Sequence, residues 1–173
     1  MDAIVFITEQ LRQAREFVEG TMAEVSVGEA HAAVPGRCNP VGATYAHLAT
    51  GEDWFVNGAI RGQAPLFATS WAGKAGLSEP PPEGGAWDEW AKRVRVDLPA
   101  MRSYAQAVGE ATDAYIASLK PEDLDRELDL SAIGLGPRTL GWVLGAAVVG
   151  HVQAHWGEIS ALRGIHGERG FPF

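Results

Sequence analysis

TLGWVLGAAVVGHVQAHWGEISALRG, residues 139–164, carries no Asp, Glu, Lys or Arg from Thr139 to Gly157. Glycines, two histidines and a glutamine interrupt the apolar run, so burial inside a protein explains it better than lipid does. Leu144, Val148, His151, His155, Ile159 and Leu162 recur at steps of three and four, which is one stripe of an α-helix. Thr139 is placed to cap that helix, which is predicted to run to about Arg163. Both histidines therefore fall on the buried stripe. One helical turn apart, two imidazoles are spaced to ligate one metal, and core or surface histidines produce the same spacing.

Working outward, three more helices are predicted. Over about 2–25, Ile4, Ile7, Leu11, Ala14 and Val18 alternate at helical spacing with Glu9, Arg12, Arg15 and Glu19, an amphipathic pattern. GEAHAAVPGRCNP, residues 28–40, breaks it, and Asn39-Pro40 offers a cap and a first-turn proline. The second helix is predicted over 40–61, with Val41, Tyr45, Leu48 and Phe55 on one side and Thr44, His47, Gly51, Trp54 and Gly58 on an adjoining strip. Residues 62–86, rich in Pro and Gly, cannot sustain a helix and form a long loop, either a functional lid or simply mobile. A third helical region is expected over 87–119, with Asp88 resembling an N-cap and a kink or break at Asp97-Leu98-Pro99. A weak strand signal lies at 127–133. Four long segments with these connections predict an all-α fold, an antiparallel four-helix bundle forming a single domain over 1–173.

Composition bounds the function. With 173 residues, 46% hydrophobic and 21% charged, the chain is that of a folded globular domain. A net charge of −8, with its basic residues scattered, is poorly suited to phosphate backbones, so nucleic acid is not expected as a partner. The single cysteine, Cys38, excludes an intramolecular disulfide and a multi-cysteine zinc knuckle, and suits a reducing cytosol. The start, MDAIVFITEQLRQAREF, lacks the basic opening and long apolar run of a signal peptide, so a cytoplasmic protein with no membrane segment is expected. There is no Cys-x-x-Cys-His haem attachment and no pair of Glu-x-x-His di-iron motifs.

A third imidazole sharpens the reading of the pair. His47 lies on the semi-buried strip of the second helix, where an adjacent helix of a bundle can face it. Three neutral imidazoles with open coordination positions suit Zn or Ni, and a shared ion relieves the cost of burying them unpartnered. Glu158, three residues after His155, is a candidate base or a partner for a water on the metal, and equally a candidate for pairing with a neighbouring helix. Trp54 and Trp156 read as core or pocket wall, and His31 and His166 as solvated.

PGRCNPVGATYAHLATGEDWF at 35–55, LKPEDLDREL at 119–128 and the stretch at 139–164 together give the chain a pattern that resembles the DinB/YfiT-like superfamily of metal-dependent bacterial proteins. That group includes mycothiol-dependent maleylpyruvate isomerases and bacillithiol transferases. Its metal triad, one His on the second helix and an H-x-x-x-H on the last, falls on His47, His151 and His155. HWGEISALRG is similar to the family's stretch after the final ligand, with Glu158 where Gln is usual. The resemblance implies an antiparallel four-helix bundle with a divalent metal near one end, often as a homodimer. It also implies a thiol S-transferase, isomerase or related hydrolase acting on a small-molecule substrate with a low-molecular-weight thiol such as mycothiol or bacillithiol. No Arg cluster assigns the thiol or the substrate. A metal- or small-ligand-binding stress-response protein without turnover stays open beside it, as does a bundle whose histidines bond only to water and neighbours.

Overall fold

Asp2 starts the first helix: its carboxylate accepts from Ile4 N at 2.8 Å, satisfying an otherwise orphan donor of helix α1, Ala3–Ala23. The computed structural model describes residues 2–82 and 86–173; residues 83–85 of the connection expected over 62–86 lie outside these, as does Met1. Ile7, Leu11, Ala14, Val18 and Met22 form the buried stripe of α1, as their spacing predicts. A short turn of helix, α2 (Val27–Ala30), follows under a Ser26 cap.

Helix α3, Val41–Asp53, continues as a π-helical segment, Trp54–Ile60. It is buried on nearly all sides because α2, the later α5 (Leu98–Ala117) and α7 (Gly150–Ile165) all pack against it. Its start corrects one expectation. Pro40 occupies the cap position with no side-chain bond, and Asn39 Oδ1 is buried without a protein partner among the described residues. Arg15 of α1 bonds Glu52 of α3 and, at 2.6 Å, Asp113 of α5, while Tyr45 OH donates to Glu19 at 2.6 Å. These contacts fix the rotation of the three helices about their axes.

The third helical region is two helices. α4, Trp87–Arg93, starts after Ala86, with Asp88 in its first turn and not at the cap. Residues 94–97 are extended, and Val96 pairs with Leu77 in an antiparallel bridge. Asp97 then caps α5, accepting from Ala100 N at 3.1 Å, and Pro99 sits in the first turn where its missing N–H costs nothing. Of the kink or break expected at Asp97-Leu98-Pro99, the structure shows the break, and the same residues start the next helix. The strand signal resolves into a hairpin, β1 (Glu127–Leu130) with β2 (Gly136–Thr139), turned at Gly134, whose φ is 80°.

Thr139 caps the last helical run as predicted, accepting from Trp142 N at 3.2 Å. The run comprises α6 (Leu140–Trp142), a second π-helical segment (Val143–Val149) and α7. Arg163, 2% exposed, donates to Glu29 Oε1 at 2.8 Å and to Thr21 O at 3.1 Å, so the buried charge is paired while it holds α7 against α1 and α2. Among the described residues, no helix is long and apolar enough to cross a membrane.

Candidate metal centre

The packing of α3 against α7 sets His47 opposite His151 and His155. Ring centroids lie 5.1 Å apart for His47 and His151, 4.8 Å for His47 and His155, and 4.5 Å for His151 and His155. One nitrogen from each ring falls within 4.8 Å of the other two. His47 Nε2 and His151 Nε2 approach to 3.2 Å. Two nitrogens bound at 2.0–2.1 Å to one tetrahedral ion would lie roughly 3.3 Å apart, so the spacing of this pair suits a shared cation.

The remaining ring atoms point the same way. His47 Nδ1 and His151 Nδ1 are buried with no protein partner among the described residues, so the one engaged nitrogen of each ring faces the other ring. Glu158 lies 2.7 Å from His155 Nδ1, which leaves His155 Nε2 to join the cluster. A carboxylate behind a histidine in this manner fixes the tautomer and ring orientation that a ligand needs. The sequence offered Glu158 as a base at the metal or a partner for a neighbouring helix; in the fold it bonds a histidine of its own helix.

Burial, with His155 adding to it, pulls the His47 pKa down to about 4; burial, then His155 and His47, pull that of His151 down to about 3. Both rings are therefore neutral and available as ligands at neutral pH. In the unfolded chain they take up protons near pH 6.5. The metal-free protein holds its full stability above that pH and loses it as the pH falls toward the folded values. Between pH 7.5 and 5, urea unfolding is expected to show a loss of about 2 kcal/mol for each ring. His151→Gln should roughly halve that slope, and an unchanged slope would show that the rings are not held neutral.

Two features beside the cluster were not singled out from sequence. Gly51 lies one turn after His47, and a Cβ added there would sit 2.8 Å from His151 Cε1, so the histidine ring occupies the space the glycine leaves. Asp53, 0% exposed, accepts from Asn57 Nδ2 at 2.7 Å and Leu66 N at 2.9 Å through Oδ1, and from Phe67 N at 2.9 Å and Tyr104 OH at 2.7 Å through Oδ2. A signal existed: between Arg37 and Arg61 the only charges are Glu52 and Asp53, on a helix predicted to be half-buried.

The cluster opens into a cavity of about 1010 Å³ whose walls include Trp54, Phe55, Phe67 and Trp87, with His47 and His151 in its lining. Trp54 is thus a pocket wall, as its place seven residues after His47 suggested. Trp156 is elsewhere, stacked on Phe17 at 4.7 Å and donating to Thr21 Oγ1 at 3.0 Å. His31, expected in solvent, is structural: Nδ1 contacts Val27 O and Nε2 accepts from Val96 N, each at 2.9 Å. His166 is also half-buried, with Nε2 enclosed and unpartnered among the described residues. Cys38 is exposed and apart from the cluster. The two π-helical segments touch one another and adjoin the helices that carry the histidines; such segments recur at functional sites because the extra residue per turn re-aims side chains.

Comparison with known proteins places the chain in a family and beside a solved structure. A family profile of the DinB superfamily matches residues 10–159. A crystal structure of a conserved protein of a locus from Enterococcus faecalis superposes with a TM-score of 0.80 at 25% identity, covering 97% of this chain and 99% of that one. No curated protein matches significantly.

Proposed function

The chain belongs to the DinB superfamily, and from that premise we propose that it is a single-domain, antiparallel four-helix bundle that holds a divalent metal on His47, His151 and His155. Zn or Ni suits three imidazoles best. The observation that carries the proposal is the convergence of three ring nitrogens within 4.8 Å, two of the rings half-buried and otherwise unpartnered at Nδ1. When bound, the cation supplies Lewis acidity that lowers the pKa of a thiol or water drawn to its open positions. Burial keeps His47 and His151 unprotonated for it, Glu158 orients His155, and the aromatic wall around Trp54 and Trp87 limits water. The activity proposed is that of a thiol S-transferase, isomerase or related hydrolase, working as a cytoplasmic homodimer on a small molecule with a thiol of the mycothiol or bacillithiol kind.

Protein purified without a histidine tag should carry close to one Zn or Ni per chain by elemental analysis. His47→Ala and His151→Ala should each lower affinity in calorimetric titration by more than about a hundredfold, beyond the 10–100-fold typical of losing an outer partner. Undiminished affinity in both variants would end the metal assignment. Glu158 separates two roles. As a positioning group it should give a 10–100-fold affinity loss in Glu158→Ala and little in Glu158→Gln, whose amide oxygen still accepts the Nδ1 proton. As a base it should give equal rate losses in both variants with affinity kept.

A second reading, binding without turnover, is favoured by one observation: the carboxylate among the cavity-lining residues, Glu79, is committed to Arg93 at 2.8 Å. Metal-loaded protein that accelerates no reaction of mycothiol, bacillithiol or glutathione with a panel of electrophiles would favour that reading.

A further inference from the structure

We infer that the cavity beside the histidines, in the metal-free protein, takes an uncharged, apolar, aromatic ligand in preference to carboxylates and phosphates. Its walls are built mainly from indole, phenyl, proline and small aliphatic groups with the hydroxyls of Thr50 and Ser78, and among the described residues no Lys or Arg lines it. Apart from His47 and His151, the ionisable side chain in the lining is Glu79, already neutralised by Arg93. In the metal-free protein an anion entering here would lose its hydration and meet no Lys or Arg among the described lining residues, a cost that apolar contact does not offset. The net charge of −8 opposes it further at long range.

A second groove on the same molecule supplies the contrast. The cavity between α1 and α5, about 560 Å³, is lined by Arg12, Arg15 and Arg102. Arg12 is paired with Glu9 and Glu16, Arg15 with Glu52 and Asp113, and Arg102 donates to Met22 O. The chain thus gathers cations in one groove, where they are satisfied internally, and keeps them out of the one that adjoins the histidines.

Shape agrees with charge. At about 1010 Å³ the cavity stands at the upper end of the ~300–1,000 Å³ range of small-molecule sites, large enough for a fused-ring ligand with room beyond it. Trp54 remains 41% exposed on its wall, with the Phe55 ring edge-on to it at 5.0 Å. Trp87 meets His47 edge-on at 4.5 Å, so a ligand lying against Trp87 has its polar end beside the imidazoles. That orientation rests on the metal reading above, whereas the class of ligand rests on the walls.

The test uses the full-length, metal-free protein with pyrenemethanol and pyrenecarboxylate, which share a ring system and differ in charge, each titrated by fluorescence. Pyrenemethanol is expected to bind saturably and at least about tenfold more tightly than the carboxylate. Trp54→Ala should weaken the alcohol, and Ala72→Arg, at an exposed position of the lining that tolerates a long side chain, should strengthen the carboxylate and close the gap. Equal or tighter binding of the carboxylate by the unaltered protein, or no saturable binding of the alcohol, would overturn the inference. A parallel zinc titration without the aromatic reads the metal assignment alone, so either proposal can fail while the other stands.

Discussion

Asp53→Ala is expected to lower the unfolding free energy by about 4 kcal/mol and the thermal midpoint by roughly 10–15 °C. The carboxylate is fully buried and accepts four hydrogen bonds, two on each oxygen, from Asn57, Leu66, Phe67 and Tyr104. Burial, with Asp53 adding to it, raises the Tyr104 pKa, so its hydroxyl keeps the proton it donates. Truncation leaves several buried donors facing a void, and each unsatisfied group costs roughly 1–3 kcal/mol before water or relaxation recovers part of it. The partners also matter for the site. Phe67 lines the cavity and Leu66 directly precedes it, so one carboxylate joins the histidine helix to the connection that borders the ligand space. Tyr104→Phe removes one donor of four and should lose only about 1 kcal/mol. Urea unfolding of both variants checks the order. An Asp53→Ala protein within about 1 kcal/mol of the parent would mean that water replaces the network at little cost.

Much of the molecule was readable from residues because its period is uninterrupted where the site lies. Leu144, Val148, Ile159 and Leu162 are buried on the predicted stripe, and His151 and His155 lie on it with His47 opposite. The π-helical segment at Val143–Val149 holds Leu144 and Val148, and regular α-helical spacing runs from Gly150 through both histidines to Leu162. Other features were left open or only partly readable for local reasons. Asp97-Leu98-Pro99 can kink a helix or start one, and what decides is the bridge between Leu77 and Val96, which pulls the preceding residues into extended form. Strand β2, Gly136–Thr139, contains a glycine and a proline and no apolar alternation; it exists because β1 pairs with it in register from Glu127 to Leu130. The bonds of His31 with Val96 and of Asp53 with Tyr104 carry no local signal, since these partners are distant in sequence and tertiary packing alone brings them into reach.

Gly51→Ala should leave the fold as stable as the parent, or up to about 1 kcal/mol more stable, and lower metal affinity about 10–100-fold. The two effects part because the methyl group would meet the end of a side chain and no backbone: 2.8 Å to His151 Cε1 and 3.4 Å to its Nε2. A helix interior favours alanine over glycine, so the fold gains while the ring turns aside. The ring cannot turn freely without cost to the site. Its Nε2 faces His47 Nε2 at 3.2 Å, and His155 stands on its other side at a centroid distance of 4.5 Å. Misplacing one of three ligands weakens the ion's hold without removing a donor, which is why the expected loss is smaller than for His151→Ala. Adding Gly51→Ala to His151→Ala should change affinity no further, since the displaced ring is then gone. Calorimetric zinc titration of the single and double variants, beside thermal unfolding of each without metal, measures both effects. Full zinc affinity in Gly51→Ala would show that the position of the His151 ring does not determine metal binding.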